Sequence, residues 1–113
     1  MEYLPVVLFA IAALGGLTLA SMKFMGKGMP VPLALGHGIF AAAGLVTLIL
    51  NVVQNRTNTL MNVSLLFFFI VAIGGFTLFS LHLMKKRQPN MLIAAHGLGA
   101  VISFVVLLIT ILR

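Results

Sequence analysis

Residues 14–21, Leu14-Gly15-Gly16-Leu17-Thr18-Leu19-Ala20-Ser21, return 59 positions later as Ile73-Gly74-Gly75-Phe76-Thr77-Leu78-Phe79-Ser80. The same ungapped shift lays Met25, Lys27, Pro30 and Leu33 on Met84, Lys86, Pro89 and Leu92, then His37-Gly38 on His96-Gly97 and Ala41 on Ala100. In so apolar a chain, matched leucines and alanines carry little weight. Matched Gly-Gly, Pro and His-Gly in one register carry a great deal, and they make the chain an internal duplication.

Each copy contains two long apolar runs. The four runs are about Tyr3–Met25, Pro32–Val53, Met61–Met84 and Met91–Leu112, so repeat one spans 3–54 and repeat two 61–113. About twenty apolar residues is the length an α-helix needs to cross a hydrocarbon core, and helices satisfy their own backbone hydrogen bonds there. Composition agrees: 62% of the 113 residues are hydrophobic and only 7% charged, too few polar groups to cover a soluble domain of this size. The first run has small residues near Ala20-Ser21, as a cleaved leader would. It opens on Glu2 instead of basic residues and its apolar stretch is too long, so it reads as a mature helix. The expected fold is an all-α membrane protein, a four-transmembrane-helix up-down bundle of two parallel helix-hairpin repeats. An even number of helices per repeat sends both copies into the membrane the same way.

Charge then predicts orientation. Five of the seven basic residues (Lys23, Lys27, Lys85, Lys86, Arg87) flank or occupy the two loops inside the repeats. Counted by the positive-inside rule, these loops are cytoplasmic and both termini lie outside a plasma (inner) membrane. That rule accounts for the net charge of +6 without nucleic acid. The same run Lys85-Lys86-Arg87 would contact anionic lipid incidentally. Two Asn-x-Ser/Thr patterns, Asn55-Arg56-Thr57 and Asn62-Val63-Ser64, hug the outer loop and read as accidents.

Several chemistries are excluded by residue type. Without cysteine there is no disulfide, thiol catalysis or thiolate metal site. With Glu2 as the single acid there is no paired-carboxylate catalysis and no membrane-embedded carboxylate to couple a proton-driven exporter. Neither a phosphate-binding loop nor a Gly-x-Ser-x-Gly elbow is present. Met22, Met25, Met29, Met84 and Met91 gather at one end, where Cu(I) would suit thioethers, but methionine is also ordinary apolar filler and that reading is preferred.

The three histidines are the clearest functional signal. His37 and His96 are repeat equivalents, one to two turns inside helices two and four, which lie on a diagonal and run parallel. Small residues on their faces (Ala41 and Gly44; Ala100 and Ser103) mark an interior stripe, with Phe40 beside His37. Two neutral imidazoles converging from opposite helices are what a six-coordinate haem iron requires. Gly36, Gly38, Gly97 and Gly99 would give a flat macrocycle room, and Gly15-Gly16 and Gly74-Gly75 could do likewise, although these pairs read first as positions where helices one and three approach their neighbours closely. Thr18 and Thr77 would accept the second imidazole N–H. Haem propionates would point toward Lys23, Lys27, Lys85, Lys86 and Arg87. Equally, a histidine near a helix end can simply hydrogen-bond across a helix interface, and duplication copies a structural histidine as readily as a ligand.

In architecture the chain resembles the transmembrane b-type cytochromes, which hold haem with histidines inside a four-helix core. The resemblance is carried by His37, His96 and the bundle, and involves no family signature. Those proteins commonly use further histidines for a second haem. Here only His82 remains, opposite Lys23 in the repeat, so the resemblance implies a single bis-histidine haem b and electron transfer. A quinone, superoxide or another redox protein would be the partner. His82 itself reads as an interfacial side chain snorkelling to the headgroups, with a propionate or quinone contact as the sharper alternative. The competing expectation is a small non-haem transporter, channel or assembly partner whose interior histidines form polar or pH-sensitive contacts. Homodimerisation through Gly/Ala faces is compatible with both.

Overall fold

A computed structural model of the chain describes residues 3–54 and 59–112. They form α1 (Tyr3–Phe24), α2 (Val31–Gln54), α3 (Thr59–Leu83) and α4 (Asn90–Leu112), of 22, 24, 25 and 23 residues. At 1.5 Å per residue each is roughly 33–38 Å long, enough to cross a bilayer core. All four are apolar enough to do so, and the chain is a membrane protein. The helices run up-down-up-down. α1 packs closely on α2 and α3 on α4, while α2–α3 and α1–α4 close the square more loosely; the diagonal pairs touch only through side chains. The bundle measures 44 × 23 × 21 Å, its long axis matching a bilayer with its interfacial layers.

Both hairpins turn in the same way at the end where Lys23, Lys27, Lys85, Lys86 and Arg87 lie, called here the basic end. In repeat one the Lys27 N–H donates to the Met22 carbonyl and the Gly26 N–H to Lys23; in repeat two the Lys86 N–H donates to Leu81 and the Lys85 N–H to His82. This paired pattern caps the last carbonyls of a helix and needs a left-handed residue just past its end. Gly26 supplies it at φ 75° and Lys85 at φ 55°. Glycine adopts that conformation freely, whereas a lysine there costs roughly 1 kcal/mol. Pro30 and Pro89 then start the return helices, their carbonyls accepting from Ala34 and from Leu92 and Ile93.

The tightest packing lies in the half away from the basic end. Leu48 and Leu107, repeat equivalents, are both fully buried. Phe9 and Phe68, also equivalents, stack across the α1–α3 diagonal with ring centres 3.9 Å apart and planes 2° from parallel. Gly44 makes room for this stack, since a β-carbon there would lie 3.0 Å from the Phe9 ring. Ser64 donates to the Ser103 carbonyl and Ser103 to Gly99, so these buried hydroxyls are satisfied. Large apolar side chains such as Phe76 and Leu14 point outward, as lipid-facing residues do. Asn62-Val63-Ser64 lies in the first turns of α3 with Ser64 buried; Asn55-Arg56-Thr57 lies outside the described residues.

The Phe9–Phe68 stack joins α1 to α3 across that diagonal, so Phe68→Ala is expected to destabilise the bundle by roughly 3 kcal/mol. Unfolding in mixed micelles measures this. A loss below about 1 kcal/mol would show that the neighbouring helices collapse into the space.

Candidate functional site: a symmetric histidine pair

The site begins with the backbone of α1. In an α-helix each carbonyl accepts from the N–H four residues on, and the side chains three and four residues on shield its flank. At Ala12 those residues are Gly15 and Gly16, which have no β-carbon, so the carbonyl stays open to a second donor. The His37 ring of α2 occupies that opening, with Nδ1 2.6 Å from the Ala12 oxygen. Repeat two reproduces the arrangement: Gly74 and Gly75 uncover the Val71 carbonyl, and His96 Nδ1 lies 2.9 Å from it.

These contacts fix the tautomer. A carbonyl can only accept, so Nδ1 carries the hydrogen in both neutral rings and Nε2 keeps its lone pair. The fit is close. A β-carbon on Gly16 would fall 2.8 Å from His37 Cε1, and one on Gly75 2.9 Å from His96 Cε1. Both imidazoles are half-buried. Across the bundle the ring centres lie 6.2 Å apart with the planes at 85°.

His37 lies six residues into α2 and His96 six into α4. The pair is therefore about 9 Å from the basic end and roughly 25 Å from the other. Beside His37, between α1 and α2, an open groove of about 290 Å³ is lined by Ile11, Gly15, Pro32, Leu33, Gly36 and Phe40, with His37 its one polar side chain.

Other candidate residues lie elsewhere. Thr18 and Thr77 are exposed and donate to their own helices, at the Leu14 and Ile73 carbonyls. Their expected role as imidazole partners is corrected: Ala12 and Val71 take it. The reason is geometric, because a residue two positions past Gly16 or Gly75 points about 200° round the helix from it. A β-carbon at Gly36, Gly38 or Gly97 would meet nothing, whereas one at Gly99 would lie 3.0 Å from Val71. Lys23 is half-buried in the last turn of α1, and Lys85, Lys86 and Arg87 are exposed at the basic end. His82 is half-buried near the end of α3, seven residues or about 10 Å along the helix from Gly75. Among the described residues no three His, Cys, Asp or Glu side chains cluster as a metal site.

The backbone acceptors were the part that residue-by-residue reading missed. The signal was present: a Gly-Gly pair three and four positions after a residue uncovers that residue's carbonyl, and the duplication repeats it.

Fold and site together define a four-helix membrane bundle of two parallel hairpins, each carrying one histidine on a glycine-opened carbonyl. No protein-family model, curated protein or solved structure matches the chain.

Proposed function

We propose that the chain is a membrane b-type haem protein working in electron transfer, with one haem held between α2 and α4 by His37 and His96. The observation that carries this reading is the spacing of the two rings. Two imidazoles on opposite sides of one metal, with bonds of about 2 Å and ring centres roughly 1 Å behind each nitrogen, have centres roughly 6 Å apart. The separation of 6.2 Å between the two rings fits. Crossed ring planes fit as well, because each plane need only contain its own metal–nitrogen bond. The donor chemistry is suitable too: with Nδ1–H held by a carbonyl, Nε2 is the ligating atom and the ring's tautomer is set. His37 and His96 would be the two protein groups that hold the haem.

When bound, the haem supplies one-electron iron chemistry. The chain's own residues do the rest. The Ala12 and Val71 carbonyls orient the ligands, and their hydrogen bonds strengthen the imidazoles as donors. The Phe9–Phe68 stack and Leu48 with Leu107 keep water from the far side. Lys23, half-buried in the last turn of α1, offers counter-charge to propionates at the basic end. By the positive-inside rule that end faces the cytoplasm of a plasma (inner) membrane, and a quinone or a redox protein is the electron partner.

The test is an absorption spectrum of the protein in mild detergent, oxidised and then reduced with dithionite, after expression with ample haem. A Soret band that sharpens with paired visible bands on reduction is expected. A colourless protein would sink the proposal.

One observation favours a second reading. Each imidazole is already hydrogen-bonded across its own hairpin, which is enough for a structural lock in a small transporter, channel or assembly partner. Histidine variants would then lose stability with no cofactor in either form.

A further inference from the structure

The two hairpins make the same turn from different residues, and the difference is in charge. Where repeat one has Gly26-Lys27-Gly28-Met29, repeat two has Lys85-Lys86-Arg87-Gln88. Lys85 holds the left-handed conformation that its sister position gives to glycine. A strained backbone position occupied by a charged residue, where a strain-free residue serves the duplicate, points to a use for the charge. The turn is also tethered. Gln88, buried, donates from Nε2 to the Leu78 carbonyl at 2.7 Å, strapping the loop to α3; Met29 in the sister loop has no such group to offer.

The result is three consecutive exposed cations on a braced turn. The sequence's single acid is Glu2, so the described residues contain no carboxylate side chain to pair with them. The N–H groups of Lys85 and Lys86 are spent on the turn itself, leaving the side chains to meet an anion. The turn directly follows a membrane-spanning helix in a bundle only about 20 Å wide, which puts it at headgroup level with lipid close on all sides. We propose that Lys85-Lys86-Arg87 is a binding site for the phosphate of an anionic phospholipid, with Gln88 as its brace. This does not rest on the haem reading.

The protein would be purified in mild detergent and reconstituted into vesicles of phosphatidylcholine containing a minor fraction of phosphatidylglycerol. The lipid retained on re-extraction would then be quantified by class. Random orientation in such vesicles makes the readout independent of any role of these charges in topology. The wild-type chain is expected to retain phosphatidylglycerol well above its bulk fraction, and Lys86→Gln/Arg87→Gln to lower that enrichment roughly tenfold. Lys85→Gly separates stability from binding. It is expected to raise the thermal midpoint, by relieving the turn, while lowering the enrichment several-fold. Unchanged enrichment in Lys85→Gly and in the double variant would overturn the proposal and leave these cations as orientation signals. Full competition by millimolar glycerol phosphate would also overturn it, in favour of a soluble phosphate ligand.

Discussion

His37→Ala and His96→Ala are each expected to remove haem from the purified protein, not to halve its content. In the proposed site His37 and His96 would each supply one of the two protein bonds to the haem, so losing either would leave the group held by a single imidazole. Second-shell changes alone commonly cost 10–100-fold in metal affinity, so deleting a ligand should cost at least about 100-fold. The deleted side chain leaves a cavity beside Gly15 and Gly16, or beside Gly74 and Gly75, about the size of the ring it held. Free imidazole added during haem reconstitution is expected to enter that cavity and restore the low-spin spectrum. Rescue of this kind depends on ligation and would not follow from a merely structural histidine. Normal haem content in both single variants would exclude the axial assignment. A wild-type protein without haem, whose variants are only less stable, would return the pair to its role as a hairpin lock.

Gly16→Ala and Gly75→Ala are expected to have the second largest effect, although neither residue would touch the iron. The added β-carbons would stand 2.8 Å from His37 Cε1 and 2.9 Å from His96 Cε1, closer than real contacts allow. The ring cannot move away without stretching the bond from its Nδ1–H to the carbonyl behind it. Each variant should therefore lose that hydrogen bond and gain an overpacked contact, together about 2 kcal/mol of hairpin stability. Haem retention should fall by about 10–100-fold. The neighbouring glycines provide a graded control. At Gly74 the nearest atom would be 3.7 Å away and at Gly15 3.4 Å, so Gly74→Ala should be mild and Gly15→Ala intermediate. At Gly38 and Gly97 nothing lies in the way, so alanine there should gain up to about 1 kcal/mol of helix propensity and leave the spectrum unchanged. Thermal unfolding in detergent and the reduced spectrum of each variant read both effects. Equal behaviour of Gly16→Ala and Gly38→Ala would mean that the glycine cradle does not hold the imidazole.

These gradations show where a sequence reading stops. Gly15, Gly16, Gly38 and Gly97 looked alike on paper, each a small residue near a histidine. Only the helix rotations separate those that carry a ring from those that face open space. Thr18 and Thr77 show the same limit. Their depth in the membrane made them reasonable imidazole partners, but depth along a helix says nothing about direction around it, and both point away.

The sequence by itself determined four membrane-spanning helices, their up-down order and their grouping into two parallel hairpins. Apolar run length and an ungapped repeat are one-dimensional signals, and a bilayer turns them directly into architecture because it accepts few backbone alternatives. The tertiary structure decided which atoms meet: the Ala12 and Val71 carbonyls with the two imidazoles, Phe9 with Phe68, Gln88 with Leu78, and one ring with the other at 6.2 Å. Those contacts depend on how each helix turns about its own axis and how closely it approaches its neighbours. Packing of all four helices sets both quantities together, so no single segment of the chain encodes either one.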